Sequence, residues 1–169
     1  MVRLIIVLLF VIATSFTGGY FYAKTKLSSN ADKKVTGIGG IFFKCKDPNS
    51  LKEWYNKNLG LNTDKYGTTF EWRLTDNQQQ KGYLQWAPFK ETTSYFKPSE
   101  KDFMINYRVI NMDRLLEQLK AAGIVPLDSV EKVSYGKFVH IMDPEGNKIE
   151  LWEPNDTEYE KGLNGKTTY

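Results

Sequence analysis

The side chains best suited to chemistry lie in the segment 136–154, which predicts two short strands joined by a tight turn at 143–147. In this Asp-Pro-Glu-Gly-Asn turn, Pro restricts φ and Gly or Asn can adopt positive φ. Glu150 follows within an otherwise apolar strand, where a buried carboxylate is costly unless it is paired or binds a metal. His140 is the only histidine, and its ordinary pKa near neutrality suits a general base. His140 and Glu150 are therefore the candidate catalytic residues, with a purely structural hydrogen-bonded histidine as the alternative.

Two stretches of the chain repeat the same order of predicted elements. The first unit is predicted to contain a strand, a helix and three strands, at 40–45, 51–59, 63–66, 69–74 and 82–86. The second unit is predicted to contain the same order, at 104–109, 112–122, 125–127, 137–141 and 148–152. Asp47-Pro48 and Gly60 supply start and stop signals for the first helix. Each unit is thus predicted to be βαβββ.

An Asp-Pro-x-Gly-Asn-x-x-Glu-Leu hairpin after a βαβββ pattern resembles the vicinal oxygen chelate superfamily, which includes glyoxalase I, bleomycin-resistance proteins and extradiol dioxygenases. The resemblance covers residues 35–154, with units at 35–97 and 103–154. It implies an α+β fold in which both units form one half-open, eight-stranded mixed sheet around a cleft. A homodimer is compatible with this resemblance, although two units in one chain can build a whole cleft.

Alternation along the strands predicts which side chains face this cleft. Glu150 is expected near Arg108 or Lys44, on a polar floor that also holds His140. The predicted ligand-binding residues are Lys44, Trp72, Trp86, Met104, Asn106, Arg108, Phe138 and Trp152. A register shift of one residue would instead place Gln85 in the cleft.

The resemblance also implies where metal ligands would lie, at Gly40, Leu84 (or Gln85), Met104 and Glu150. Gly and Leu cannot ligate a metal, and a thioether is a poor ligand for hard divalent ions. Catalytic metal sites normally have about three protein ligands. We therefore expect no metal and no other cofactor.

The amino-terminal segment, residues 1–26, is distinct from the predicted domain. Residues 4–23 are uncharged and mostly apolar, and about 20 such residues can cross a bilayer as a helix. The strongest run, 4–13, has signal-peptide length, but no clean cleavage site follows. A cleaved signal peptide and an uncleaved anchor both fit, so the protein is predicted to be membrane-anchored or secreted, including periplasmic.

Charge and cysteine content exclude some classes of protein. Arg3, Lys24 and Lys26 account for the whole formal net charge of +3, so the remainder is formally neutral. This argues against nucleic-acid binding, which needs a clustered basic surface. The single Cys45 cannot form an internal disulfide and is predicted to be a core thiol.

Three connecting segments have simpler predictions. Residues 27–34 are polar and form a predicted linker. The segment 88–98, with Phe89, Tyr95 and Phe96, is either a lid at the cleft edge or an ordinary connection. The tail 155–169 is predicted to be flexible.

Three functions remain open from the sequence. The first is metal-free binding of a small organic molecule in an aromatic cleft, favoured by 14% aromatic residues and by the missing metal ligands. The second is a lyase, isomerase or dioxygenase that uses Glu150 and His140, with or without a divalent metal. A weaker third is an envelope-associated domain that binds another protein.

Overall fold

The computed structural model describes residues 34–75, 77–163 and 167–168. The predicted amino-terminal helix and the linker up to residue 33 lie outside the described residues. Within the described ranges, no helix combines the length and apolar character needed to cross a membrane.

The described residues form one mixed seven-stranded sheet and three helices, so the domain is α+β. The strands are β1 (Val35–Cys45), β2 (Thr68–Arg73), β3 (Lys81–Lys90), β4 (Phe103–Val109), β5 (Glu131–Val133), β6 (Gly136–Met142) and β7 (Lys148–Pro154). The helices are α1 (Pro48–Leu59), α2 (Met112–Ala121) and α3 (Asp156–Leu163). The order of the strands across the sheet is β2-β3-β1-β4-β7-β6-β5.

The sheet has two similar halves that meet at β1 and β4. In the first half, β1 pairs in parallel with β3, and in the second half β4 pairs in parallel with β7. The two first strands, β1 and β4, pair antiparallel with each other. This arrangement confirms the internal repeat that the sequence predicts.

The eight-stranded prediction is wrong by one strand in the first unit. Residues 63–66 form a turn instead, because the Asp64 carboxylate accepts hydrogen bonds from the Tyr66 and Gly67 amides. Such local side-chain bonding competes with strand pairing.

The predicted strand at 125–127 is also wrong. Its Leu127 amide donates to the His140 carbonyl at 2.8 Å, but the third strand of this unit forms at 131–133. Pro126 has no amide to donate to a ladder, which explains why pairing begins later.

Capping residues define the helix ends that the sequence predicts. The Asp47 side chain accepts from the Asn49 and Ser50 amides at the start of α1, and Gly60 ends the helix at φ 71°. Asn111 caps α2 by accepting from the Arg114 amide. These bonds satisfy amides that a helix end leaves free.

The core has one cluster beneath α2 and another on the neighbouring strands β1, β3 and β4. The first contains Val109, Met112, Leu115, Val139, Ile141 and Leu151. The second contains Phe42, Ala87, Phe96 and Met104. Helix α1 covers its half of the sheet through Tyr55, whose ring lies 4.8 Å from that of Trp86.

The structure describes residues 155–163 and 167–168 of the segment 155–169, which the sequence analysis predicts to be a flexible tail. Residues 156–163 form α3, and Thr168 pairs with Phe70 at the edge of β2. The apolar residues Tyr159 and Leu163 of α3 are four residues apart and lie on the partly buried face of the helix.

Candidate functional site

A row of directly paired residues crosses six strands on the cleft face of the sheet. Its members, from β2 to β6, are Thr69, Gln85, Gly40, Asn106, Glu150 and His140. Side chains that are paired across strands lie close enough to interact. The row therefore forms a polar floor interrupted only by the glycine in β1.

Glu150 is the centre of this floor, and it is only 4% exposed. Its Oε1 accepts a hydrogen bond of 2.6 Å from Asn106 Nδ2. Its Oε2 lies 3.0 Å from His140 Nε2 and also accepts a hydrogen bond from the Tyr95 hydroxyl. Both carboxylate oxygens are therefore bonded before any ligand enters.

His140 lies between two carboxylates. Its Nδ1 is 2.6 Å from Asp128 Oδ2, and its backbone amide donates to the other oxygen of Asp128 at 2.9 Å. The Asp128 side chain is 44% exposed, whereas Glu150 is buried. The chain Asp128–His140–Glu150 thus connects solvent with the floor of the site.

These contacts set the charges of the central pair. Burial disfavours the imidazolium of His140, but its hydrogen bonds to Glu150 and Asp128 outweigh this effect and raise its pKa. Burial also disfavours the Glu150 carboxylate, but hydrogen bonds from His140, Tyr95 and Asn106 lower its pKa. Both shifts favour the pair of carboxylate and imidazolium.

Tyr95 closes the floor from the segment that joins the two units. Burial and the Glu150 carboxylate raise the pKa of Tyr95, so its hydroxyl retains the proton that it donates. The Tyr95 carbonyl accepts a bond of 2.7 Å from Lys148 Nζ, which holds this segment over β7. Phe89 and Tyr95 line the cavity, whereas Phe96 is fully buried in the core.

Above the floor lies a cavity of about 750 Å³. Phe138 and Trp152 stack at 5.7 Å between ring centroids and form one aromatic wall. Phe89 and Tyr95 stack at 5.5 Å and form another. The remaining aromatic lining includes Phe42, Tyr135 and Tyr159.

Helix α3 completes the cavity. Tyr159 packs on Trp152 at 5.1 Å, and its hydroxyl donates to Gln85 Oε1 at 3.1 Å. At the start of the helix, Asp156 Oδ2 lies 2.6 Å from Arg108 Nη2. The carboxyl-terminal segment is therefore part of the site rather than an appendage.

Of the predicted site residues, Asn106, Phe138, Glu150 and Trp152 line the cavity. His140 lies behind them, against Glu150. The structure therefore brings together half of the predicted set.

The expected pairing of Glu150 with Arg108 or Lys44 is wrong. Arg108 is paired with Asp156, and Lys44 is paired with Asp102 at 3.2 Å. Neither basic side chain lines the cavity.

Three apolar residues of the predicted set also lie elsewhere. Met104 is buried in the core, and Trp72 packs beside Gly37 and Gly82. Trp86 faces α1, with its ring 5.3 Å from that of Phe43. The register is the alternative one, which places Gln85 in the cavity.

Asp128 and Tyr159 are contributors that the sequence analysis missed. Asp128 lies in a segment predicted to connect strands, and Tyr159 lies in the segment predicted to be flexible. Tyr159 and Leu163 are spaced as i and i+4, which is a weak helical signal, whereas only its tertiary contacts identify Asp128.

No protein-family model and no curated protein matches the chain. Among solved structures, a Streptomyces coelicolor methylmalonyl-CoA epimerase in complex with 2-nitronate-propionyl-CoA is 17% identical, with a TM-score of 0.52, and the match covers 72% of this chain and 99% of that one. A methylmalonyl-CoA epimerase in complex with methylmalonyl-CoA and NH4+ is 16% identical, with a TM-score of 0.51 and coverage of 72% and 96%. A glyoxalase/bleomycin resistance protein/dioxygenase superfamily member from Vibrio splendidus is 17% identical, with a TM-score of 0.43 and coverage of 69% and 97%.

The repeated half-sheets and the two epimerase likenesses together decide the architecture. The chain has the vicinal oxygen chelate fold. At these identities, the likeness concerns the fold alone.

The ligand positions implied by the vicinal oxygen chelate fold do not fit a divalent cation here. Gly40 has no donor, Met104 lies in the core, and His140 directs Nε2 to Glu150. Gln85 Oε1 already accepts from Thr69 at 2.9 Å. Within the described ranges, no group of three or more His, Cys, Asp or Glu side chains is placed to hold a metal.

Proposed function

We propose that this protein binds a small organic molecule in the aromatic cavity, without a metal cofactor. The observation that carries the proposal is a cavity of about 750 Å³ with stacked aromatic walls above Glu150 and Asn106. Ligand sites commonly have about 300–1,000 Å³ and mostly apolar walls with a few polar groups. Both properties favour recognition of a flat organic molecule.

The state of Glu150 favours binding over proton abstraction. A carboxylate with a lowered pKa is a weak base, and efficient general bases have pKa values near the working pH. All the donors around Glu150 also stabilise the ionised form. A fixed negative charge of this kind suits a ligand-orienting group.

The absence of a metal from the proposed site rests on the same geometry. The two oxygens of Glu150 are occupied by protein donors, and the imidazole of His140 is turned to Glu150 instead of the cavity. A cation at Glu150 would have to displace these bonds and would gain few ligands.

The activity named for the epimerases is not part of this proposal. Methylmalonyl-CoA is a polyanion, and phosphate groups are normally bound by Arg, Lys or backbone amides. No Lys or Arg is found among the lining residues that the structure describes. The cavity therefore suits another class of ligand.

A second candidate is a lyase, isomerase or related enzyme that transfers a proton through Glu150. The Asp128–His140–Glu150 chain favours it, because a proton taken up at the floor could pass to solvent through hydrogen-bonded groups. Glu150→Gln would then abolish turnover of a bound substrate while binding persists.

We also propose that residues 4–23 bring the domain to a membrane, as a cleaved signal or as an anchor. The support is the uncharged, mostly apolar sequence, whose length is close to that needed to span a bilayer.

The binding proposal is tested by blocking the cavity. Gly162 lines it, and a Cβ added there would meet no atom of the described residues within 4 Å, so Gly162→Phe should fill space without a backbone clash against them. Ligand-observed NMR with small aromatic compounds should reveal saturable binding that Gly162→Phe weakens at least about tenfold. Lys57→Phe, a change at an exposed residue of α1 that does not line the cavity, should leave the affinity unchanged. If Gly162→Phe binds with unchanged affinity, the compounds bind elsewhere and the proposal is contradicted.

Elemental analysis after mild purification tests the proposal that the protein binds its ligand without a metal. We expect no stoichiometric divalent metal in the full chain. One bound metal per chain that disappears in Glu150→Ala would contradict this expectation.

A further inference from the structure

The hydrogen-bonding groups at the centre of the floor are already used within the protein. Both oxygens of Glu150 accept bonds from protein groups, and the Tyr95 hydroxyl donates its hydrogen to Glu150. Asn106 is 2% exposed and donates to the same carboxylate. His140 lies behind Glu150, with both ring nitrogens facing carboxylates. A directional contact with a ligand is therefore expected on another part of the floor.

Gln85 provides such a contact on the other half of the sheet. Its side chain is half-buried and lines the cavity. Its Oε1 accepts from the Thr69 hydroxyl at 2.9 Å and from the Tyr159 hydroxyl at 3.1 Å. Its Nε2 lies 3.4 Å from the Trp86 carbonyl oxygen, well beyond the separation of about 2.9–3.0 Å in an ordinary N–H···O bond. The oxygen of this amide is thus satisfied, whereas its two N–H groups have one long contact among the described residues.

The same contacts determine which end of the Gln85 amide is the nitrogen. In the reversed orientation, Oε1 would take the place of Nε2, 3.4 Å from the Trp86 carbonyl oxygen, and two acceptors would face each other. The hydroxyls of Thr69 and Tyr159 would also lose the acceptor that they share. Thr69 is only 4% exposed, so its hydroxyl has little access to water as a substitute. The contacts therefore hold the amide with its donor groups available.

An aromatic ring adjoins Gln85 on the cleft face of the sheet. Gly40 pairs directly with Gln85 in the neighbouring strand, and a Cβ added to Gly40 would lie 2.6 Å from Cζ of Phe42. The ring of Phe42 therefore fills the position of the missing side chain, and Phe42 lines the cavity. The donor groups of Gln85 thus adjoin an apolar surface, where a hydrogen bond is stronger than in water.

We infer that Gln85 selects the ligand by donating a hydrogen bond from Nε2 to a neutral carbonyl oxygen on an aromatic or apolar molecule. The carbonyl matches the available N–H groups, and the body of the molecule matches Phe42 and the stacked walls. A carboxylate is disfavoured as the acceptor, because the charged side chains that line the cavity in the described part of the chain are all carboxylates. This inference rests on the proposed function, since it names the class of ligand for the same cavity.

Three compounds with one bicyclic body test the inference on the full chain by ligand-observed NMR. 1-Indanone carries a carbonyl, indane lacks it, and indane-1-carboxylate is an anion at neutral pH. Gln85→Met keeps a side chain of similar length without the amide, so it should weaken 1-indanone about fivefold or more and leave indane within about twofold. Gln78→Met, at an exposed residue that does not line the cavity, should change neither affinity. The wild type should bind indane-1-carboxylate more weakly than 1-indanone.

A second variant preserves the internal bonds that Gln85→Met removes. Gln85→Glu retains an oxygen for the hydroxyls of Thr69 and Tyr159, but it replaces the donor with another acceptor. At pH 8 a carboxyl of ordinary pKa is ionised, so this variant should weaken 1-indanone at least about tenfold. Gln78→Glu makes the same charge change at the exposed position and should leave the affinity unchanged.

The infrared carbonyl stretch of bound 1-indanone adds a measurement that a purely structural role of Gln85 would not change. A hydrogen bond lowers the frequency of this stretch relative to its value in an apolar solvent. We expect the lowered frequency in the wild type and a return to the apolar-solvent value in Gln85→Met. In the wild type, this measurement does not depend on the folding of any variant.

The outcomes distinguish this inference from the proposed function. If indane and 1-indanone bind but neither Gln85 variant changes the preference between them, the inference is overturned and binding in the cavity stands. An unshifted carbonyl stretch in the wild type, or tighter binding of the carboxylate than of the ketone, also overturns the inference. If none of the three compounds binds, the proposed function and the inference are overturned together.

Discussion

The Nδ1 atom of His140 lies 2.6 Å from Oδ2 of Asp128, and this contact decides what the histidine can do. With Nε2 directed to Glu150, both ring nitrogens face carboxylates. An imidazolium can donate to both, whereas a neutral ring can donate to only one. The arrangement therefore stabilises the charged histidine and the ionised Glu150 together.

The first prediction concerns the titration of His140. Because hydrogen bonds to Glu150 and Asp128 raise its pKa, its ring protons should titrate above the ordinary value of about 6.5. The chain contains one histidine, so a single proton NMR titration observes it without assignment. Asp128→Asn should lower the midpoint, and a midpoint below that of a free histidine would contradict the proposed charge state.

The second prediction is the dependence of stability on pH. A pKa raised by folding stabilises the folded state below the unfolded pKa, and this contribution is lost as pH rises through the folded pKa. Urea unfolding of the wild type should therefore show a falling free energy above about pH 6.5. His140→Gln should remove this decline while leaving other titrations in place. An identical slope in both proteins would exclude His140 as its cause.

Glu150 has the opposite dependence, because its pKa is lowered by folding. Its contribution is present above the ordinary carboxyl pKa and is lost as pH falls through the lowered value. Glu150→Gln should therefore flatten the acid side of the same stability profile.

The third prediction concerns the Tyr95 hydroxyl. Tyr95→Phe removes one donor to the buried Glu150 carboxylate and should cost about 1.5–3 kcal/mol of unfolding free energy. Tyr66→Phe is a matched control, because Tyr66 is 66% exposed, and it should change stability by less than about 0.5 kcal/mol. If Tyr95→Phe and Tyr66→Phe change the unfolding free energy equally in chemical denaturation, the Tyr95–Glu150 bond does not stabilise the fold.

The fourth prediction concerns the attachment of α3. Asp156→Ala leaves the guanidinium of Arg108 without its partner, and this side chain is only 4% exposed. Removal of one member of a buried pair costs about 3–5 kcal/mol, so a loss near 3 kcal/mol is expected for this partly exposed aspartate. Glu158→Ala breaks a more exposed pair on the same helix and should cost less than about 1 kcal/mol. Comparable losses in thermal unfolding would argue against the Arg108–Asp156 attachment.

The fifth prediction concerns the amino-terminal segment. A chain of residues 27–169 should be soluble and should unfold cooperatively, because the polar segment 27–34 separates the apolar run from the domain. Aggregation of this shortened chain, together with folding of the full chain in detergent, would show that the segment belongs to the core.

The sequence by itself determined the repeated units, the helix ends and the closing hairpin, because these depend on local chemistry. The Asp143 side chain accepts from the Glu145 and Asn147 amides, and Gly146 has φ 77°, as the turn residues predict. Strand alternation also identified Asn106 and Glu150 as neighbours on the cleft face.

Tertiary structure decided the rest of the site. Strand side chains alternate with a period of two, so one residue of register exchanges Trp86 for Gln85, and composition alone does not choose between them. The roles of Asp128 and Tyr159 arise from contacts with His140 and Gln85 across 12 and 74 residues of chain. Arg108 pairs with Asp156 because α3 lies against the sheet, where Tyr159 contacts Trp152 and Gln85. Local sequence signals specify elements, whereas partners distant along the chain depend on how those elements pack.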